Sequence, residues 1–194
     1  GSTQMLRSSI EHYGHKWYAY PYPVASNING IVGGMEYPMI IFCGGGRQKP
    51  NANEEIPSAK DAERGLFGVT THEIGHNWFP MLLSTDERRH VWMDEGFNTF
   101  INYYANLERY PEQLPRRGNA RVWARDHPKP TAQPLDIPAD QVTPGTLGDM
   151  QYGKTSTGMV LLREGILGEE RFDRAFREYI RRWAFKSPRP WDFF

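Results

Sequence analysis

The sequence predicts an α+β fold in which a small β sheet is followed by a mainly helical part. Three observations carry that prediction. Short apolar runs punctuated by glycine lie before residue 60, the pattern expected of strands and turns. After residue 60 the apolar residues recur at three- and four-residue spacing, which is the period of a helix. The length of 194 residues suits one compact domain with a feasible core and disfavours two full domains.

Taken in order, Ile28 to Phe42 reads as two short strands around a glycine turn. Gly44-Gly45-Gly46 then ends the second strand as a turn. No Gly-Lys-Ser/Thr follows it, so a phosphate loop is disfavoured. A helix is expected from Ser58, its cap, to about Phe79, with Ala62, Leu66, Phe67 and Val69 on a shared side and Pro80 as the stop. A second helix is expected from about Met93 to Leu107 through Phe97, Phe100, Ile101 and Tyr104. Prolines 128, 130, 134, 138 and 144 exclude regular structure between them. Helices from about Asp149 to Leu167 and from Glu169 to Phe185 complete the chain. The stripe Phe172, Phe176, Tyr179, Ile180 and Trp183 reads as core packing, and the arginines from Arg171 to Arg182 as a solvated face.

Composition removes several function classes. Lys plus Arg and Asp plus Glu both number 23, so no global field draws the chain to nucleic acid or a membrane surface. One cysteine, Cys43, allows neither an intrachain disulfide nor a cysteine metal cluster, so a metal must be held by histidines and carboxylates. No apolar run is long enough to span a bilayer, and no basic start with an apolar stretch suggests a signal peptide.

The chemistry is concentrated in His72-Glu73-Ile74-Gly75-His76. Residues four apart on a helix lie one turn on and about 40° apart around its axis, so both imidazoles can reach one ion. Glu73, beside the first ligand, can reach a metal-bound water as a base without ligating. With six histidines in 194 positions, chance produces this pattern at a frequency on the order of one per cent. Glu95 follows His76 after 18 intervening residues and supplies a third ligand. Three protein ligands with an open fourth position describe a hydrolytic zinc site, and the nitrogen and oxygen donors suit zinc. His12, His15, His90 and His127 lie in no motif and read as surface or packing residues.

With these motifs the chain resembles the gluzincin metallopeptidases, and within them the aminopeptidase N type. Gly33-Gly34-Met35-Glu36 is similar to that family's Gly-x-Met-Glu-Asn motif, and Tyr152-Gly153-Lys154 to its downstream tyrosine followed by lysine. The likeness runs from about residue 5 to 194 and ends in Ser187 to Phe194, similar to the family's Asp-Phe-Phe segment. Tyr37 and Asp94 stand where the family usually has asparagine, and Asn77 where glutamine is common. None of these departures removes a catalytic group.

The resemblance implies a thermolysin-like catalytic domain over residues 3–194, with Gly1-Ser2 as an expression scar. It also implies a fragment lacking an N-terminal β-rich and a C-terminal helical domain. One zinc ion would be held by His72, His76 and Glu95, with Glu73 as general base and acid and Tyr152 as oxyanion donor. Glu36, with Gly33, Gly34 and Met35, would bind a peptide substrate with a free N-terminus. The strand around Met35 to Phe42 would need an exposed edge to pair with that substrate, and Thr99, one turn beyond Glu95, is placed to orient a ligand. The rival readings are an endopeptidase or other hydrolase on the same metal site, and a zinc- or peptide-binding module without turnover.

Overall fold

The computed structural model describes residues 1–44, 57–126 and 132–194. Gly45, Gly46, His127, Pro128 and Pro130 therefore lie outside the described residues, with the expectations attached to them. The α+β architecture holds: three short strands, then a helical body. No helix among the described residues is long and apolar enough to cross a membrane.

The first element departs from expectation. Helix α1 (Ser2–Lys16) occupies a stretch read as part of an extended region. Its buried residues are Met5, Leu6, Ser9 and Tyr13, two of which carry hydroxyls. It docks on the following helix through those hydroxyls: Ser9 Oγ lies 2.9 Å from Thr71 Oγ1, and Tyr13 Oη donates to Thr71 O at 3.1 Å. An apolar-periodicity reading cannot register such a face.

Strands β1 (Ser26–Ile28), β2 (Gly34–Tyr37) and β3 (Ile40–Cys43) form one sheet in the order β1-β3-β2. Three strands replace the two expected. The run from Met35 to Phe42 is split because Pro38, with no N–H to donate, and Met39, at φ 66°, form a tight turn. The resulting hairpin is antiparallel, with Glu36 opposite Ile41, whereas β1 runs parallel to β3 with Asn27 opposite Ile41. Strand β2 is thus an edge of the sheet among the described residues, as strand pairing with a substrate requires.

Helix α2 (Ala59–Gly75) begins as expected, with Ser58 Oγ accepting from the Asp61 N–H at 3.1 Å. It ends four residues before Phe79. The residue before a proline is driven out of helical geometry, and Phe79 takes φ −132°, ψ 109° inside a wide turn over Asn77–Leu82. A second wide turn, Trp92–Gly96, leads into α3 (Phe97–Arg109). Helix α4 (Ala120–Asp126), which was not expected, buries none of its residues and so shows no apolar stripe. After the short α5 (Pro144–Leu147), the helix expected over 149–167 is α6 (Thr155–Leu161) flanked by wide turns at Gly148–Lys154 and Leu162–Leu167.

Helix α7 (Glu169–Trp183) buries Phe172, Phe176, Tyr179 and Ile180, so its aromatic stripe is core and its arginines face solvent. Phe176 is the hub, with ring centroids 5.2 Å from Trp17, 5.6 Å from Phe79, 6.0 Å from Phe97 and 5.6 Å from Phe100. The final helix, α8 (Pro190–Phe193), lays Phe193 against Phe97 at 4.9 Å. The core therefore clamps Phe79 and Phe97, which lie three residues after His76 and two after Glu95.

Candidate metal centre

Helix α2 carries His72 and Glu73 and is capped at its C-terminus by His76, and the wide turn before α3 carries Glu95. The structure brings these side chains to one place. His72 Nε2 lies 3.2 Å and His76 Nε2 3.5 Å from the same carboxylate oxygen, Glu95 Oε2. One ligand atom from each of the three residues falls within 4.8 Å of the others. Glu95 Oε2 is buried yet has no well-aligned hydrogen-bond donor. A buried carboxylate oxygen left this way, faced by two imidazole nitrogens, has the chemistry of a divalent-cation site. The nitrogen and oxygen donor set fits zinc among such ions.

The partners behind the ligands come from folding, not from spacing. Unwinding of α2 at Phe79 turns that residue's carbonyl onto His76 Nδ1 at 2.9 Å, and Asp94 Oδ1 lies 2.8 Å from the same nitrogen. Partners on Nδ1 fix the ring and leave Nε2 free to ligate. On the His72 side Asn98 Nδ2 donates to the His72 carbonyl at 2.8 Å. Thr99, expected to orient a ligand, does not: its buried hydroxyl has no hydrogen-bond partner. Residues three and four past Glu95 share one side of the helix, and the docking of α3 on α2 brings Asn98, not Thr99, to the His72 carbonyl. Asp94 and Asn98 were missed as orienting residues. Asp94 had a signal, since it adjoins a ligand, but nothing local marked its partner.

Glu73 is buried, and burial, reinforced by the charges of Glu36, Glu95 and Asp94 against the opposing His76, pushes its carboxyl up to about 7. A base at that value takes and returns protons near neutral pH. Burial lowers the His72 imidazole, favouring its neutral, ligating form. Burial also opposes the charge on Glu95, but the close imidazoles of His72 and His76 outweigh it and hold the carboxyl well below its usual range.

The strand motif reaches the same centre. A β-carbon on Gly34 would stand 2.2 Å from Glu73 Oε1, so only glycine lets β2 lie against the base. Glu36 joins Glu73 and His76 in a second set of ligand-type atoms within 4.8 Å. Gly33 is exposed in the turn before β2, and Met35 is half-buried on the strand. From the opposite side Tyr152 donates its hydroxyl to Glu95 Oε1 at 2.5 Å, and its ring stacks on His72 at 5.6 Å. Burial, together with the Glu95 charge, raises its phenol pKa, so the hydroxyl keeps its proton as a donor. His12 and His90 stand apart from the centre and pair with Glu108 at 3.0 Å and Asp136 at 2.6 Å.

Comparison with known proteins gives the chain a family and a fold likeness. The sequence profile of the Peptidase family M1 domain matches residues 4–194. Aminopeptidase M1-B of Oryza sativa subsp. japonica is 22% identical over 191 residues, an alignment that covers 91% of this chain and 21% of that protein. The M1 zinc metallopeptidase of Deinococcus radiodurans superposes with TM-score 0.67 at 17% identity, covering 100% of this chain and 39% of that one. Native yeast LTA4 hydrolase gives TM-score 0.72 at 20% identity, covering 97% of this chain and 30% of the other. The chain thus spans about a fifth of that curated relative's length.

Proposed function

Because the chain belongs to the M1 peptidase family, we propose that residues 3–194 are the thermolysin-like catalytic domain of a zinc aminopeptidase that hydrolyses the first peptide bond of substrates with a free amino terminus. The observation that supports this most is the convergence of His72, His76 and Glu95 on one point, with Glu73 and Glu36 grouped beside it. In this reading one zinc ion is held by His72, His76 and Glu95. When bound, zinc polarises the peptide carbonyl and makes water acidic enough to lose a proton near neutral pH.

The chain's own groups do the rest. Glu73, buried and with its pKa raised to about 7, takes the proton from the attacking water and returns it to the departing amine. Tyr152, held protonated, donates a hydrogen bond to the oxyanion as the carbonyl becomes tetrahedral. Glu36 pairs with the substrate's ammonium, and the edge strand β2 hydrogen-bonds to the extended peptide. Placing that ammonium pair next to the base fixes which bond is cut, which makes the enzyme trim and not cleave internally.

The test uses free and N-acetylated forms of one peptide. A hydrogen bond to a charged partner contributes about 1.5 to 3 kcal/mol, so Glu36→Ala should lower kcat/KM for the free peptide about ten- to a hundredfold. Zinc content should not change. The wild type should cut the acetylated peptide poorly, and Glu36→Ala should barely alter that rate. Equal wild-type cleavage of both forms would replace the aminopeptidase reading with an endopeptidase.

A further inference from the structure

Tyr152 sits where packing alone holds it weakly. It lies in the wide turn Gly148–Lys154, and this segment is backed by a cavity of about 240 Å³ lined in part by Arg117, Trp123, Gly148, Gly153 and Thr157. The phenol is only partly buried, and among the described residues its hydroxyl reaches Glu95 and its ring stacks on His72. Both involve groups that also belong to the candidate metal centre. A ring held only by those groups moves whenever they move.

A third group approaches the ring. The guanidinium carbon of Arg117 lies 4.4 Å from the Tyr152 ring centroid, well inside the range in which a cation is attracted by an aromatic face. The approach has been cleared: a β-carbon on Gly148 would stand 3.2 Å from Arg117 Nη2, a contact tighter than side chains ordinarily make. Arg117 comes from the loop between α3 and α4, an element that contributes no other group to the centre, so it holds the ring from outside the metal cluster.

We infer that Arg117 is a positioning residue that fixes the Tyr152 phenol over the site through a cation–π contact, in the space that Gly148 leaves open. The inference rests on the reading of Tyr152 as oxyanion donor. Its contribution belongs to the transition state, because the hydroxyl must meet the oxyanion and not the ground-state carbonyl. Loss of Arg117 therefore lowers kcat and leaves KM nearly constant.

A double-mutant cycle on the zinc-loaded full chain tests this, using an amino-acid anilide. Arg117 is exposed, and a cation–π contact at an exposed site corresponds to a loss of about two- to fivefold. Arg117→Gln should lower kcat by that factor, with KM and zinc content within twofold of wild type. In a Tyr152→Phe background the same substitution should change kcat less than twofold. As a second readout, Arg117→Gln should weaken a phosphinic dipeptide, a tetrahedral anion, by the same factor while the free amino acid binds unchanged. Should Arg117→Gln lose zinc or melt early, Arg117→Lys carries the cycle, with a loss smaller than that of Arg117→Gln that again disappears in Tyr152→Phe. An unchanged kcat, or an equal loss with and without the Tyr152 hydroxyl, would overturn the inference. If Tyr152→Phe itself turned over like wild type, the parent reading of Tyr152 would fail instead.

Discussion

At the scale of single residues the proposed site depends on distances of a few tenths of an ångström. Gly34 is the sharpest case, because a methyl group there would stand 2.2 Å from Glu73 Oε1. Gly34→Ala must push either β2 or the base aside, and misplacement by about 1 Å costs roughly a hundredfold in rate. It should approach the two to four orders of magnitude lost in Glu73→Gln, and both variants should retain zinc by elemental analysis. Asp94 makes a different point. It holds His76 Nδ1 at 2.8 Å without itself ligating, so Asp94→Ala should weaken zinc binding about ten- to a hundredfold in a chelator competition. Wild-type affinity in that variant would remove Asp94 from the support of the ligand.

Among the elements, α7 supplies the rigidity that the site borrows. Phe176 is 2% exposed and meets Phe79 and Phe97, which lie three residues after His76 and two after Glu95. Phe176→Ala should cost about 3 to 5 kcal/mol, read as a lower urea midpoint with an unchanged m-value. A loss below about 1 kcal/mol would show that the stripe does not organise the core. Elements with an apolar stripe were legible in the sequence: α2 through Phe67, α3 through Phe97, Phe100 and Ile101, and α7 through its aromatics. Helix α1 was not, because Ser9 and Tyr13 dock it through hydroxyls. Helix α4 was not, because it buries nothing.

For the whole molecule, metal and fold separate. The aromatic core around Phe79, Phe97, Phe100 and Phe176 gives the helices a buried apolar face of their own, so they should not depend on an ion as a zinc finger does. Chelation should abolish turnover while preserving the helical circular dichroism. Zinc at a hundred times its Kd adds about 2.7 kcal/mol to stability, so Tm should fall by about 5 to 11 °C on its removal. Loss of the helical signal together with zinc would make the ion part of the fold.

The sequence by itself determined the parts of this protein governed by local geometry. Helical periodicity alone brings His72 and His76 together, because residues four apart face the same way on any α-helix, and an order of motifs along the chain pointed to the family. It also marked Pro80 as the end of α2, although the wide turn at Asn77–Leu82 moved that end four residues earlier. What the tertiary structure decided involves residues far apart in the chain. Gly34 meets Glu73, Asn98 reaches the His72 carbonyl, and Arg117 covers Tyr152. These contacts follow from how helices, strand and loop dock, and docking depends on the aromatic core as a whole. Asn98 and Thr99, three and four past Glu95, lie on one side of α3, so spacing cannot choose between them, and only the docking gives the His72 carbonyl to Asn98.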